Sequence, residues 1–413
     1  MNILLHTPDG VRDTYGEECM SKKLLADRLT DVLHLYGYQD IETPTFEFYE
    51  IFSDERGTVP ARNMYRFIDR DGSTLVLRPD ITPSIARAVA KYYGDEEIPL
   101  RFAYCGNVFV NNPTLQGKLK ETTQIGAELI GNTDVEGDAE MIALSINLLK
   151  EAGLSEFQID VGHVGYFNTI AKEAGIEGEA LDNLRSLIEN KNSFGAESLL
   201  ETLHVPQEQA EILAALPELF GDDNTIERAR AMTKSPQALA VLDYLEKIYN
   251  AVCEYGFEKY VTIDLGMLSE YDYYTGIIFR GYTYGTGDAL VKGGRYDRLI
   301  GQFGAPKASV GFAAVLDELI LALSRQHIAL PEGPRFSMVL YEPPYREQAV
   351  KTANSLREIR RPVSMLKREP DRTISDYIEY GSRFHMESIL YIDEDVELTK
   401  IDILDGSRKK MPL

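Results

Sequence analysis

Along residues 14–36 apolar side chains return every three or four positions: Leu24, Leu25, Leu29, Val32, Leu33 and Tyr36. That spacing places them on one helical face and predicts an amphipathic helix, which Gly37 ends. GYQDIETPTFEFYEIF (37–52) reads as a strand leaving the helix, interrupted at Pro44. In RFIDRDGSTLVLRPD (66–80), Asp71-Gly72 lies between two apolar runs and marks a β-hairpin. Thr82-Pro83 follows, a threonine N-cap with proline at the first helical position. The helix it opens carries Ile85, Val89 and Tyr92 and closes at Gly94. PLRFAYCGNVFV (99–110) and TTQIGAELI (122–130) predict two strands around a polar loop, and 138–152 predicts a helix.

Residues 166–255 are helical in pattern almost throughout, with turn signals near 191–195 and 220–224. Strands resume at 260–267, 273–284 and 288–300, and a helix is expected over 311–325. RQHIALPEGPRF (325–336) has the proline, glycine and mixed polarity of a linker. Beyond it the pattern restarts as β-α-β-α-β: RFSMVLYE, a helix over 345–359, PVSMLK, a helix over 372–381, then ESILYID and KIDILD. The elements predict an α+β fold, a mostly antiparallel sheet with helices packed on it. Residues 1–325 form its core, with a helical insertion at about 166–255, and 334–413 form a small separate α/β domain.

Composition narrows the function. No apolar run reaches the roughly 18 residues of a membrane span, and MNILLHTPDGVRD is not a secretory signal. Cys19, Cys105 and Cys253 lie far apart without metal-ligand spacing, which fits a reducing cytoplasm. The six histidines are scattered, and no phosphate loop, dinucleotide fingerprint or metalloprotease motif occurs. No metal or cofactor is expected. The net charge is −23, from 66 acids against 43 bases. Neutralising phosphates needs clustered Lys and Arg, so this balance weighs against a nucleic-acid partner.

Four stretches carry candidate chemistry. In LRPDITP (77–83), Asp80 stands beside a helix N-terminus, either supporting the helix start or meeting a ligand amine. In TTQIGAELIG (122–131), alternation sets Gln124, Gly126 and Glu128 on one strand face, polar and either exposed or paired inside. In SEYDYYTG (269–276), Tyr271, Tyr273 and Thr275 share one face, Asp272 and Tyr274 the other. Tyrosines suit a small polar-aromatic ligand, and they also simply form strands well. KGGRYDRL (292–299) is either a close backbone approach to a ligand or a turn with an exposed Arg295.

DGVRD (9–13), YGYQDIETP (36–44), LRPDITPSIAR (77–87), NVFVNNP (107–113), QIGAELIG (124–131), DYYTGIIF (272–279), GGRYD (293–297) and ASVGFAAVLDEL (308–319) occur in one order. Together they resemble the histidyl-tRNA synthetase family of class II synthetases, and the tail is similar to that family's anticodon-binding domain. The resemblance implies an antiparallel-sheet catalytic fold, a dimer built around the Pro44 region, and a histidine pocket. By that resemblance Asp80, in place of a glutamate, meets the α-amino end together with Thr82 and Gln124. Glu128, Tyr273 and Tyr274 meet the imidazole.

The departures from the family concern charge. Val110, Ser269 (followed by Glu270) and Glu318 stand where the family has arginines, and Lys118 replaces a fourth. Adenylate formation needs such cations, and losing one typically costs on the order of 10²–10³ in rate. A chain that keeps the histidine pocket but lacks this clamp resembles the regulatory subunits of ATP phosphoribosyltransferase. That resemblance implies no catalytic site and no cofactor. It implies instead a hetero-oligomer, an octamer, with the short-form catalytic subunit. In it the chain is required for the first step of histidine biosynthesis, with histidine as feedback effector. Two alternatives stay open: a stand-alone histidine-binding synthetase paralogue and an active histidyl-tRNA synthetase.

Overall fold

The computed structural model describes residues 3–53, 59–113, 118–269, 274–393 and 397–411. Helix α1 (Gly16–Leu35) buries Leu25, Leu29, Val32 and Leu33, the stripe set by their spacing. The chain turns at Gly37, where φ is +81°, into the short β1 (Gln39–Asp40). Past Pro44 comes β2 (Phe46–Phe48), then the hairpin β3 (Arg66–Ile68) and β4 (Thr74–Leu77), turned at Gly72 with φ +90°. These three make a small antiparallel sheet in the order β2-β4-β3. Helix α2 (Thr82–Tyr92) leads to the long pair β5 (Leu100–Phe109) and β6 (Glu121–Ile130). Helix α3 (Val135–Ala152) is buried along most of its length and is followed by β7 (Phe157–His163).

Six helices then run in succession: α4 (Val164–Glu173), α5 (Gly178–Glu189), α6 (Ser193–Thr202), α7 (Gln207–Ala215), and, past the two-residue β8 (Phe220–Gly221), α8 (Asn224–Met232) and α9 (Pro236–Glu254). The strands β9 (Val261–Asp264), β10 (Ile277–Thr283), β11 (Val291–Arg295) and β12 (Ser309–Val315) complete the main sheet, and α10 (Leu316–Arg325) follows. Its order is β1-β5-β6-β12-β11-β10-β7-β9-β8. All pairings are antiparallel except β1 with β5 and β7 with β9.

Period-two alternation gives this sheet two unlike faces. On β6, Ile125, Ala127 and Leu129 join the core around α3, as do Val310, Phe312 and Ala314 on β12. Their neighbours Gln124, Glu128, Gly311, Ala313 and Val315 line a cavity on the opposite face.

One expectation needs correction, and one strand was not expected. The helix expected over 311–325 begins only at Leu316, because 309–315 form β12, paired between β6 and β11. SVGFAAV is buried along nearly its whole length, and such a run carries no period to separate strand from helix. The strand β7 went unpredicted for the opposite reason. Its alternation is plain, with Phe157, Ile159 and Val161 buried, but it is short and wedged between helical patterns.

The chain divides into two units, the first comprising Met1–Asp13 and Leu25–Leu330, the second Thr14–Leu24 and Pro331–Leu413. In the second, β13 (Ser337–Tyr341), α11 (Arg346–Glu358), β14 (Val363–Lys367), α12 (Ile374–Arg383), β15 (Ser388–Ile392), β16 (Leu398–Asp402) and β17 (Arg408–Met411) form a sheet ordered β14-β13-β15-β16-β17. The parallel trio is apolar on both faces, with Met338, Leu340 and Ile389 on one and Val339, Leu390 and Ile392 on the other. The final strand, RKKM, has no apolar alternation and was not expected from sequence. Among the described residues no helix is long and apolar enough to cross a membrane. Nor does any group of three or more His, Cys, Asp or Glu among them have the arrangement of a metal site.

Candidate ligand site

A cavity of about 630 Å³ opens over the polar face of the main sheet. Asp80, Thr82, Gln124, Glu128 and Tyr274 all line it, although they come from three separate parts of the chain. Tyr273, the sixth expected residue, lies outside the described residues.

Glu128 is the centre of the inner end. It is only 1% exposed and accepts two hydrogen bonds. Thr82 Oγ1 donates to its Oε1 at 2.6 Å, and the Tyr296 hydroxyl donates to its Oε2. Burial pushes its carboxyl up to about 8; the two hydrogen bonds oppose the rise and nearby Asp80 adds to it. Gly311 on the adjacent strand makes the room, since a Cβ there would stand 1.6 Å from Oε2. Tyr104 is buried beside the group and donates to the Phe312 carbonyl at 3.3 Å. Its hydroxyl is pushed well above the usual range by burial and by Glu128.

Thr82 does not cap α2, contrary to the expectation. The N-cap position is Ile81, in helical conformation and without a side-chain cap. With Thr82 already inside the helix, its hydroxyl turns across the sheet to Glu128. The resemblance assigned these two to opposite ends of histidine; here they touch. Asp80 Oδ1 accepts from the Ile81 N–H at 2.7 Å while the residue also lines the cavity. Asp80 thus supports the start of the helix and at the same time faces the cavity. The Gln124 amide oxygen is buried without a hydrogen-bond partner among the described residues, an acceptor that a ligand donor would satisfy.

The paired glycines do not form the turn that one reading expected, and Gly293 lines the cavity. They lie within β11, where a Cβ on Gly294 would meet the Tyr274 ring at 2.6 Å and one on Gly293 the Phe279 ring at 2.3 Å. They admit aromatic rings to the strand instead of opening a turn. Arg295 is buried, not exposed. It donates to Asp138 Oδ1 at 2.9 Å from Nε and 2.5 Å from Nη2, and to the Asn132 carbonyl at 2.8 Å. Its own carbonyl accepts from the Thr275 N–H at 2.7 Å, so this buried ion pair holds the residue next to Tyr274. The Tyr274 hydroxyl is itself pushed up by burial, with Asp80 and Glu128 adding to the shift.

The outer end has another character. Val110, Lys118, Ser269 and Glu318, the four positions that lack the family's arginines, line the same cavity. Of the four cations that line it among the described residues, Lys118, Lys120, Arg280 and Lys292, two are ion-paired, Lys118 with Asp288 at 2.7 Å and Arg280 with Glu189 at 2.7 Å. Burial and the neighbouring Arg280 lower Lys292. The carboxylates of Glu189, Asp288 and Glu318 stand among these cations, and Glu318 is an acid where an adenylating site needs a cation.

Sequence reasoning missed Tyr296, Tyr104 and Gly311. Tyr296 was legible in part, as the residue after Arg295 in GGRYD. Tyr104 follows from alternation along β5, where Phe102 and Tyr104 share a face. Gly311 carried no signal until β12 was recognised as a strand.

Residues 10–319 match the family model described as histidyl-tRNA synthetase. The chain is 41% identical over 349 residues to the ATP phosphoribosyltransferase regulatory subunit of Acetivibrio thermocellus, covering 84% of this chain and 82% of that protein. It is 36% identical over 399 residues to the protein of the same description in Ruminiclostridium cellulolyticum, covering 97% and 95%. Its fold is similar to a crystal structure from Bacillus halodurans described as an ATP phosphoribosyltransferase regulatory subunit/histidyl-tRNA synthetase, with TM-score 0.83, 34% identity, and coverage of 94% and 98%. A histidyl-tRNA synthetase from Nostoc shares the fold at TM-score 0.81, with 20% identity and coverage of 98% and 96%.

Proposed function

The chain belongs to the family of ATP phosphoribosyltransferase regulatory subunits, which are not the catalytic subunits, and we propose that it senses histidine for a separate short-form catalytic subunit. The observation that supports this reading is the division of one cavity. Asp80, Thr82, Gln124 and Glu128 keep the groups that recognise an amino acid, while Val110, Ser269 and Glu318 lack the cations that would activate one.

Histidine enters with its imidazole toward Glu128 and Tyr274 and its α-ammonium toward Asp80 and Gln124; Tyr273 adds to the ring contact. No bond to it is made or broken. Histidine then inhibits the first step of histidine biosynthesis by binding the active and inactive assemblies unequally. The catalytic subunit and this chain form a hetero-oligomer, an octamer, in the cytoplasm, without nucleic acid or cofactor. Within it this chain pairs with a second copy through the sheet after Pro44. That sheet exposes Phe46, Phe48, Phe67 and Ile68 at 54%, 55%, 41% and 68%, an apolar surface suited to burial in a dimer. Residues 1–325 serve as the synthetase-like core and 334–413 as an anticodon-binding-like domain that supports assembly.

Reconstitution tests the proposal. The chain alone should show no phosphoribosyltransferase turnover, and adding it to the short catalytic subunit should switch on turnover that histidine inhibits. No stimulation at any ratio would overturn the partnership. Glu128→Gln and Tyr274→Phe should weaken histidine inhibition and leave assembly intact. If both variants keep full sensitivity, histidine binds elsewhere.

A further inference from the structure

A second cavity, of about 640 Å³, lies where α4 and α5 meet the turn after β11. Lys172 of α4, Arg185 of α5 and Arg298 of the turn line it together. The convergence runs against the charge of the surroundings, since residues 1–330 hold 51 acids against 29 bases. Among the described lining residues Glu177 is the one carboxylate. The side chains of Lys172 and Arg298 make no hydrogen bond or ion pair with the described residues. The Arg185 side chain is only 12% exposed; it pairs with Asp182 at 3.4 Å and lies 5.9 Å from the centre of the Phe167 ring.

Bringing like charges together around a hollow costs Coulomb energy unless an anion sits between them. Arginine's planar fork suits phosphate oxygens, and lysine adds a point charge. Asn168 supplies a neutral amide donor on the α4 wall. We infer that this cavity binds a small phosphorylated molecule, with its phosphate or pyrophosphate group between Lys172, Arg185 and Arg298. The site is separate from the Glu128 pocket, and the two share Tyr274 as a wall. The inference does not depend on histidine being the ligand of the first cavity.

The test is calorimetric titration of the full chain with inorganic pyrophosphate and, separately, ribose 5-phosphate. The first reports an inorganic ligand and the second a phosphomonoester on a carbon skeleton. One site per chain for either is expected, weakening as salt rises. Arg298→Ala and Lys172→Ala should each weaken binding at least about tenfold, with unchanged circular dichroism and melting temperature, because both side chains lie at the surface. Lys118→Ala, in the other cavity, should leave it within about twofold. Absence of binding by both probes at millimolar concentration overturns the site. So does binding that Arg298→Ala and Lys172→Ala leave unchanged, or that Lys118→Ala abolishes.

Discussion

Around Glu128 the first cavity is walled by regular elements: β6 beneath it, α2 through Thr82, β12 through Gly311, and Tyr296 directly after β11. Around Glu318 it is walled by the ends of elements: Val110 just past β5, Lys118 in the following loop, Ser269 beyond β9, and Glu318 in the first turn of α10. The inner side chains grip one another, so changing any of them disturbs the rest. The outer ones face an open space. An arginine there can become valine, serine or glutamate without leaving a void in the core. The end around Glu128 is therefore tied to the fold, whereas the end around Glu318 is free of it.

Substitutions at the inner end should outweigh those at the outer. Gly311→Ala forces a methyl group against Oε2 of Glu128. It should abolish measurable histidine binding in calorimetry and destabilise the chain by about 1–3 kcal/mol in urea, the usual cost of overpacking. Normal binding by this variant would mean that Glu128 is not held as described.

Glu128→Gln should come next, with a pH dependence. The folded carboxyl titrates at about 8, above its ordinary 4.5. Below about pH 4.5 it is protonated in both folded and unfolded chain, and nothing is lost. Between about 4.5 and 8 only the unfolded chain ionises, so stability falls by about 1.4 kcal/mol per pH unit, then levels above 8. Glu128→Gln lacks this loss, and its stability relative to the parent should rise through that window. Histidine binding carries the same proton. Between about pH 6.5, where free imidazole titrates, and about 8, neutral imidazole meets a protonated Glu128 and binding exchanges no proton with solvent. Affinity should peak there and fall up to tenfold per unit on either side. A flat profile in the parent, or an unchanged one in the variant, counts against the pairing.

Tyr296→Phe removes one donor from a buried oxygen, and about tenfold weaker histidine binding is expected from a cost of about 1–3 kcal/mol. Last come Glu318→Gln and Val110→Ala, which should keep histidine affinity within about threefold. If either weakens it more than Tyr296→Phe does, the two ends of the cavity are not divided as argued.

Much of this was legible in the residues themselves. A period of 3.6 marked α1, the Asp71-Gly72 turn marked the β3–β4 hairpin and a period of 2 marked the polar face of β6, because each follows from local geometry alone. Five of the six expected pocket residues line one cavity. What escaped was what burial hides. Strand β12 is buried on both faces and reads as the start of its helix. Arg295 looks like a surface charge until Asp138, distant in sequence, is placed against it.

The sequence by itself determined where helices and strands with one wet face would form, and which polar side chains they would carry. It also determined that Val110, Ser269 and Glu318 bring no positive charge to their positions. Only the tertiary structure decided the state of Glu128, its carboxyl raised to about 8 between Thr82, Tyr296 and the bare backbone of Gly311. The reason is physical: residue type sets a carboxyl's proton affinity in water, but its affinity in the fold depends on the water and partners that distant segments remove or supply.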